Sequence, residues 1–228
     1  GETENVGIID ALQFLRNINL GARTSPGNDV VVIGGGNVAI DAARAAKRLG
    51  THKITVVYRR SREEMPAYAE EVQGAIEEGI EFSYLTTPVR YRAHNGKVVG
   101  LECVRTELGP PDESGRRRPV PLEGSEFLIS CDAVIPAIGQ GIDSAWADRL
   151  PNLKWARRGT LAVDPDTMQT SLPHVFAAGD AVSGPATAIE AVAAGHRAVR
   201  GIERYLAKKE MGDALEQLAA SNPGSPNW

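Results

Sequence analysis

Short runs of β-branched residues alternate along this chain with Ala-rich segments of helical period. That alternation predicts a parallel sheet with helices packed between its strands. Val30-Val31-Val32-Ile33 runs straight into Gly34-Gly35-Gly36, and the Ala-rich segment that follows to Gly50 predicts a helix. Lys53 to Tyr58 predicts the second parallel strand. Glu63 to Glu78 predicts a helix whose regular part begins near Pro66, and Glu81 to Leu85 a third, short strand. Upstream, Ile8, Ile9, Leu12, Leu15 and Ile18 have amphipathic helical spacing within Gly1 to Gly21, and the turn-rich linker Ser25-Pro26-Gly27-Asn28-Asp29 follows.

From Pro88 the pattern changes to alternation of period two. Val89 to Ala93, Lys97 to Thr106 and Glu126 to Ile129 predict a small antiparallel insertion, with Asn95-Gly96 as its hairpin turn and Gly109 to Gly115 as the loop between its later strands. Cys131 to Gly139 predicts a return to the parallel sheet. Leu161 to Asp164 and Val175 to Asp180 predict two further short strands, the second ending in Gly179-Asp180. Thr187 to Leu206 predicts a long helix with Ile189, Val192, Ala193, Val199 and Ile202 on its apolar face. The tail from Ser221 has the composition of a frayed end. The expected organisation is a lead-in helix and linker over 1–26, a parallel-sheet domain carrying the antiparallel insertion over 27–142, and a C-terminal part over 143–228.

Composition narrows the class. The chain has 228 residues, 42% hydrophobic and 24% charged, which is ordinary for a globular protein with a sizeable core. Its net charge of -4 argues against a general nucleic-acid binder. The local run Arg116-Arg117-Arg118, set among Pro and Gly, reads as a solvated loop. No apolar stretch approaches the roughly 20 residues that span a bilayer, and no signal peptide is visible. Two cysteines without C-x-x-C spacing, Cys103 and Cys131, suit a reducing, cytoplasmic setting and indicate neither a disulfide framework nor a metal site. His52, His94, His174 and His196 are scattered without metal spacing, and His174 beside Pro173 reads as a surface loop residue.

The chemistry concentrates at Gly34-x-Gly36-x-x-Ala39. Gly34 permits a tight turn, Gly36 lets the backbone approach a pyrophosphate, and Ala39 lets the helix pack closely on the strand. The N–H groups of the helix start then face the phosphates. A Gly-rich triplet can also mark a mere turn; the strand before it and the helix after it favour a Rossmann-like dinucleotide site. A NAD-selective site carries an acid at the end of the second strand. Here that strand ends in Tyr58-Arg59-Arg60-Ser61-Arg62, and arginines there can cradle a 2′-phosphate. The cofactor expected is therefore NADP(H), the alternative being a solvated basic strand end.

Val32 to Asp41, Val57 to Ala67 and Val175 to Asp180 resemble the small (beta) subunit of NADPH-dependent glutamate synthase and related flavin-containing pyridine nucleotide oxidoreductases. Asp10 to Leu15 is similar to the helix that leads into their nucleotide domain. The resemblance runs from about Val6 to about Leu206 and implies an α/β, two-dinucleotide-binding-domain flavoprotein: a parallel sheet with an antiparallel β insertion, plus a partial FAD-domain segment. It implies that Gly179-Asp180 contacts the FAD ribityl chain and that Thr187, Ala188 and Ile189 open a helix facing the flavin. A helix cap with core packing is the alternative for those three.

The candidate cofactor-binding set is thus Gly34, Gly35, Gly36, Asn37, Val38, Ala39, Asp41, Arg59, Arg60, Ala137, Ile138, Gly139, Gly179, Asp180, Thr187, Ala188 and Ile189. No catalytic or metal-binding residue is assigned. Only one Gly-rich fingerprint is present, and the cysteine-rich iron–sulfur segment of glutamate synthase-type chains is missing. The chain is therefore expected to be a fragment that binds NADP(H) and holds FAD weakly or not at all. Its implied partners are an N-terminal FAD half, an iron–sulfur segment or subunit, and a large amidotransferase-type subunit. Cys131 reads as an inert core thiol, so electrons are expected to leave the flavin for iron–sulfur centres or a partner. The rival reading is a nucleotide-binding or regulatory module without electron transfer.

Overall fold

The computed structural model describes residues 6–111, 115, 117–139, 149–156 and 159–221. The chain divides into two compact units, Gly1–Gly139 and Gln140–Trp228. In the first, helix α1 (Ala11–Asn19) precedes β1 (Asp29–Ile33), α2 (Asn37–Arg48), β2 (Lys53–Val57), α3 (Ala69–Glu77) and β3 (Glu81–Ser83). Then come β4 (Thr86–His94), β5 (Lys97–Pro111), β6 (Arg117–Pro121), β7 (Phe127–Ser130) and β8 (Ala133–Pro136). Two sheets result. The parallel one has the order β3-β2-β1-β8; in the antiparallel one, β5 pairs with β4, β6 and β7.

Period-two alternation explains the layering. Val30 and Val32 of β1, Ile54 and Val56 of β2, and Ala133 and Ile135 of β8 point to one face, where Phe14, Ala39, Ile40, Ala43, Val72 and Ala75 of the helices cover them. Val31, Ile33, Val57 and Val134 point to the other, against Val98, Leu101, Cys103 and Cys131. The parallel strands are therefore apolar on both faces, which is why they read as continuous β-branched runs. Each such side chain contributes about 1.5–3 kcal/mol by leaving water.

The predicted elements shift in identifiable places. Ile8 and Ile9 lie before α1: Ile8 bridges Val134, the Ile9 N–H donates to the Val134 carbonyl, and the Asp10 carboxylate caps the helix by accepting from the Gln13 N–H at 2.9 Å. The helix expected from about Pro66 starts at Ala69. Ahead of it, Arg62–Glu64 forms a 3-10 turn, and the N–H groups of Ala67 and Tyr68 are drawn to the Gly35 carbonyl and the Asn37 Oδ1 instead. The expected loop at 109–115 is partly strand, since β5 runs on to Pro111 and pairs with β6. Arg117 and Arg118 accordingly sit on β6, while Arg116 lies outside the described residues.

In the second unit the two expected strands reduce to isolated bridges, Trp155 with Leu161, Val163 with Thr170, and Gln169 with Phe176. Asp164 interrupts the first by accepting from the N–H groups of Asp166 and Thr167, which turns the chain away. A short helix, α4 (Asp180–Ser183), precedes α5 (Ala188–Ser221), which is longer than the predicted helix. Its expected apolar face is not buried within the unit: Ile189 is 78% and Val192 60% exposed, and Val199 and Ile202 are also open. The buried positions are the small ones, Ala194, Ala198 and Gly201, because the helix crosses close over Thr167. The tail 222–228 lies outside the described residues. No helix among them is long and apolar enough to cross a membrane.

Candidate nucleotide-binding site

The end of β1 holds the glycine turn, and the end of its parallel neighbour β2 holds the arginines, since Ile33 pairs with Val57. The Gly34 N–H donates to the Val57 carbonyl at 3.0 Å and the Ala137 N–H to the Ile33 carbonyl at 2.7 Å. Both sides of the turn are thus fixed. Chain order reverses between β1 and β8, so the crevice beyond their carboxyl ends is a topological switch point, where doubly wound sheets take ligands.

Two glycines here are sterically required. Gly34 has φ +142°, and a Cβ on it would lie 2.3 Å from the Ala137 oxygen. A Cβ on Gly35 would lie 2.4 Å from the Tyr58 ring. That ring is held by its hydroxyl, which donates to the Glu64 carbonyl at 2.8 Å. At Gly36 the opposite holds, for no heavy atom would approach a Cβ within 4 Å. Gly36 is the N-cap of α2, and no side chain caps the helix. The first-turn N–H groups, at Asn37 and Val38, therefore face open space with the partial positive charge of the helix start behind them. That is the arrangement a pyrophosphate fits. Ala39, fully buried, sits against Gly34.

Other candidates stand in different relations to this turn. Ala137 touches it through the Gly34 contact, whereas Ile138 is 78% exposed at the end of β8 and Gly139 follows it. Asn37 turns its side chain toward Tyr68 and joins α2 to the start of α3. Asp41 lies further along α2, in a groove of about 310 Å³ with Leu15, Ile18, Arg44 and Arg48. Desolvation there, and the nearby Glu71 carboxylate, push its carboxyl above the ordinary range against the pull of Arg44.

Arg59 is exposed and Arg60 partly so. Their backbone is pinned: the Thr106 hydroxyl donates to the Arg59 carbonyl at 3.0 Å and the Leu85 N–H to the Arg60 carbonyl at 3.0 Å. The Arg60 Nε donates to the Arg117 carbonyl at 2.9 Å, and the Arg117 Nε donates to Glu64 Oε1 at 3.0 Å. Glu64 closes a capping box with Ser61. Burial pushes its carboxyl up, but the hydrogen bonds from Arg117 and Ser61 outweigh this and hold it below the usual range. Tyr58, Glu64 and Arg117 thus belong to the surroundings of the site. The Ser61-x-x-Glu64 capping pattern could have flagged Glu64, whereas the basic run that holds Arg117, expected to be a solvated loop, gives no sign of its pairing with Glu64.

The second unit brings Gly179-Asp180 and the start of α5 together, because a Cβ on Gly179 would lie 3.6 Å from the Ala191 Cβ. Gly179 caps α4 at φ +66°. The start of α5 is closed by its own side chains. The Glu190 carboxylate accepts from the Thr187 N–H at 2.9 Å and from the Thr187 hydroxyl at 2.6 Å, while the Glu190 N–H donates to that hydroxyl at 3.3 Å. The helix-cap reading of Thr187 is therefore realised in the structure. Ala188 and Ile189 follow it, exposed.

Cys103 and Cys131 are both free and buried, and desolvation pushes each thiol up to about 12. Among the described residues no cluster of His, Cys, Asp and Glu could hold a metal ion. His174, expected as a plain loop residue, is exposed but hydrogen-bonds the Tyr205 hydroxyl and packs edge-on against that ring.

Known proteins are similar to this chain in sequence and in fold. The chain is 49% identical over 208 residues to a protein named NADP(+)-dependent formate dehydrogenase subunit beta from Moorella thermoacetica, a match covering 90% of this chain and 29% of that one. It is 43% identical to NADPH-Fe(3+) oxidoreductase subunit beta of Geobacter sulfurreducens, covering 86% and 32%, and 38% identical to the glutamate synthase [NADPH] small chain of Escherichia coli, covering 79% and 39%. The chain spans about a third of the length of these relatives. In fold it is similar to FprA of Mycobacterium tuberculosis in complex with NADPH, with a TM-score of 0.68 at 19% identity over 98% of this chain and 66% of that one. The family model described as pyridine nucleotide-disulphide oxidoreductase matches residues 1–195, and the chain belongs to that family.

Proposed function

We propose that 27–142 binds NADP(H) and that 143–228 is the C-terminal part of an FAD domain, within a flavin-dependent oxidoreductase of the glutamate synthase small-subunit kind. The observation that carries this reading is the uncapped start of α2 beside a pinned arginine pair at the end of β2. The Asn37 and Val38 N–H groups would hold the pyrophosphate, and Arg59 and Arg60 the 2′-phosphate. Gly179, Asp180 and the residues from Thr187 to Ile189 would contribute to the flavin site. Bound NADPH would supply a hydride and FAD would take it up; this chain's residues bind and orient, and none is required to move a proton.

Electrons would pass on to iron–sulfur centres or a partner subunit, in keeping with the subunit names of the relatives. Two buried thiols held protonated suit a reducing, cytoplasmic setting and leave no protein dithiol in that route. Calorimetric titration with NADPH and then NADH at fixed salt tests the reading. NADPH is expected to bind much the tighter, and replacing Arg59 and Arg60 together by Ala to erase most of that preference. Tighter binding of NADH, or equal losses for both nucleotides in the double variant, would overturn it.

A further inference from the structure

We propose that the β5–β6 hairpin is a specificity-determining element, in which Arg117 acts as a positioning residue that aims Arg60 at the 2′-phosphate of NADPH. This rests on the NADP(H) reading above and adds to it a part of the chain more than fifty residues away from the arginine pair.

A guanidinium has two edges that can each offer a pair of donors. The Arg60 Nε is taken by the Arg117 carbonyl. Anchoring that nitrogen fixes the plane of the group and leaves the Nη1/Nη2 edge, for which no protein acceptor occurs among the described residues. A fork anchored in this way would bind a phosphate monoester in bidentate fashion, with less ordering cost than a free side chain. The carbonyl is itself held in place. Leu108 pairs with Pro119 and Glu107 with Val120 on the hairpin, and the Arg117 side chain crosses back to Glu64. Glu64 in turn is tied to Ser61, one residue beyond Arg60. The result is a closed ring of contacts from Arg60 to Arg117, to Glu64, to Ser61 and back.

The ring has an electrostatic side. Glu64 is a carboxylate four residues from Arg60, in a region proposed to receive a dianion. Pairing with Arg117 compensates its charge, so Arg117 both orients the fork and screens the one nearby acid in the ring. Arg117 need not touch the nucleotide.

The test is nucleotide titration of the purified protein carrying Arg117→Ala, with NADPH and NADH measured side by side. Arg117→Ala keeps the carbonyl that Arg60 contacts but removes the tie from Arg117 to Glu64 that holds it and the cation that screens Glu64, so NADPH affinity is expected to fall about tenfold while NADH affinity stays within about twofold. Arg117→Lys, which keeps a cation opposite Glu64, is expected to recover most of the preference. Equal losses for both nucleotides, or an unchanged preference in Arg117→Ala, would overturn the role of the hairpin. If the unmodified protein shows no preference for NADPH, the 2′-phosphate reading itself falls. Should Arg117→Ala fold poorly, Arg117→Gln, which keeps the length of the side chain without its charge, serves in its place, and an unmoved preference in it would also overturn the proposal.

Discussion

Helices α2 and α5 both begin where a glycine-containing loop runs into an Ala-rich segment, yet their starts are electrostatic opposites. At α2 the cap is Gly36, the third helical residue is the buried Ala39, and no side chain reaches the first-turn N–H groups. At α5 the cap is Thr187, the third residue is Glu190, and the two satisfy each other. One helix start has no side-chain cap; the other carries an anion of its own. A single position three residues into the helix decides which. A glycine loop before a helix is therefore a weak indication of phosphate binding until that position has been read.

The largest expected effect comes from closing the open end from below. In Gly34→Ala the new methyl would collide with the Ala137 carbonyl in a backbone conformation that L-residues avoid, so destabilisation of about 3 kcal/mol or more is expected. Thermal unfolding with and without NADPH would show a lower Tm and no shift on adding nucleotide. Gly36→Asp separates binding from stability. Asp is as good an N-cap as Gly or better, and nothing crowds the site, so Tm should hold or rise slightly. The carboxylate would occupy the N–H groups proposed to hold the pyrophosphate, and NADPH affinity should fall about a hundredfold. Retained affinity would mean that the turn is only structural.

The smallest effect belongs to α5. Thr187→Val with Glu190→Gln removes the capping box and should lower the chemical-denaturation midpoint slightly, without altering NADPH affinity. The Glu190 carboxyl is held below its ordinary value by the Thr187 hydroxyl and N–H. Its contribution is therefore present above the unfolded carboxylate pKa and lost as pH falls through the lowered folded value. The difference between parent and variant should shrink in that acidic window and stay constant near neutrality.

Sequence patterns recover the first unit well where burial sets the period. β1, β2 and β8 are apolar on both faces, and α2 shows its small-residue face, so their places follow from the chain itself. Legibility falls where pairing partners are distant. The extension of β5 to Pro111 and the strand β6 carry Pro, Gly and Arg, which look like loop material, and only their mutual pairing makes them strands. The tie from Arg60 to Arg117 uses a backbone carbonyl, which leaves no trace in residue identity. In the second unit, Leu161 to Asp164 and Val175 to Asp180 have strand composition but find only single bridges. The apolar positions expected to bury one face of α5 are instead open, and small residues do the packing.

The carboxylate of Asp132 accepts the N–H groups of Asn28 at 3.0 Å and Asp29 at 3.1 Å, tying the entrance of β8 to that of β1. About a hundred residues separate these groups, and the whole antiparallel sheet lies between them. Strands β1 to β3, with α2 and α3, can assemble from short-range contacts. Strand β8 can join only after a long loop has closed. The wall of the proposed nucleotide crevice formed by Ala137 is thus the last to arrive, so in refolding kinetics the gain of nucleotide binding should lag the gain of helical signal.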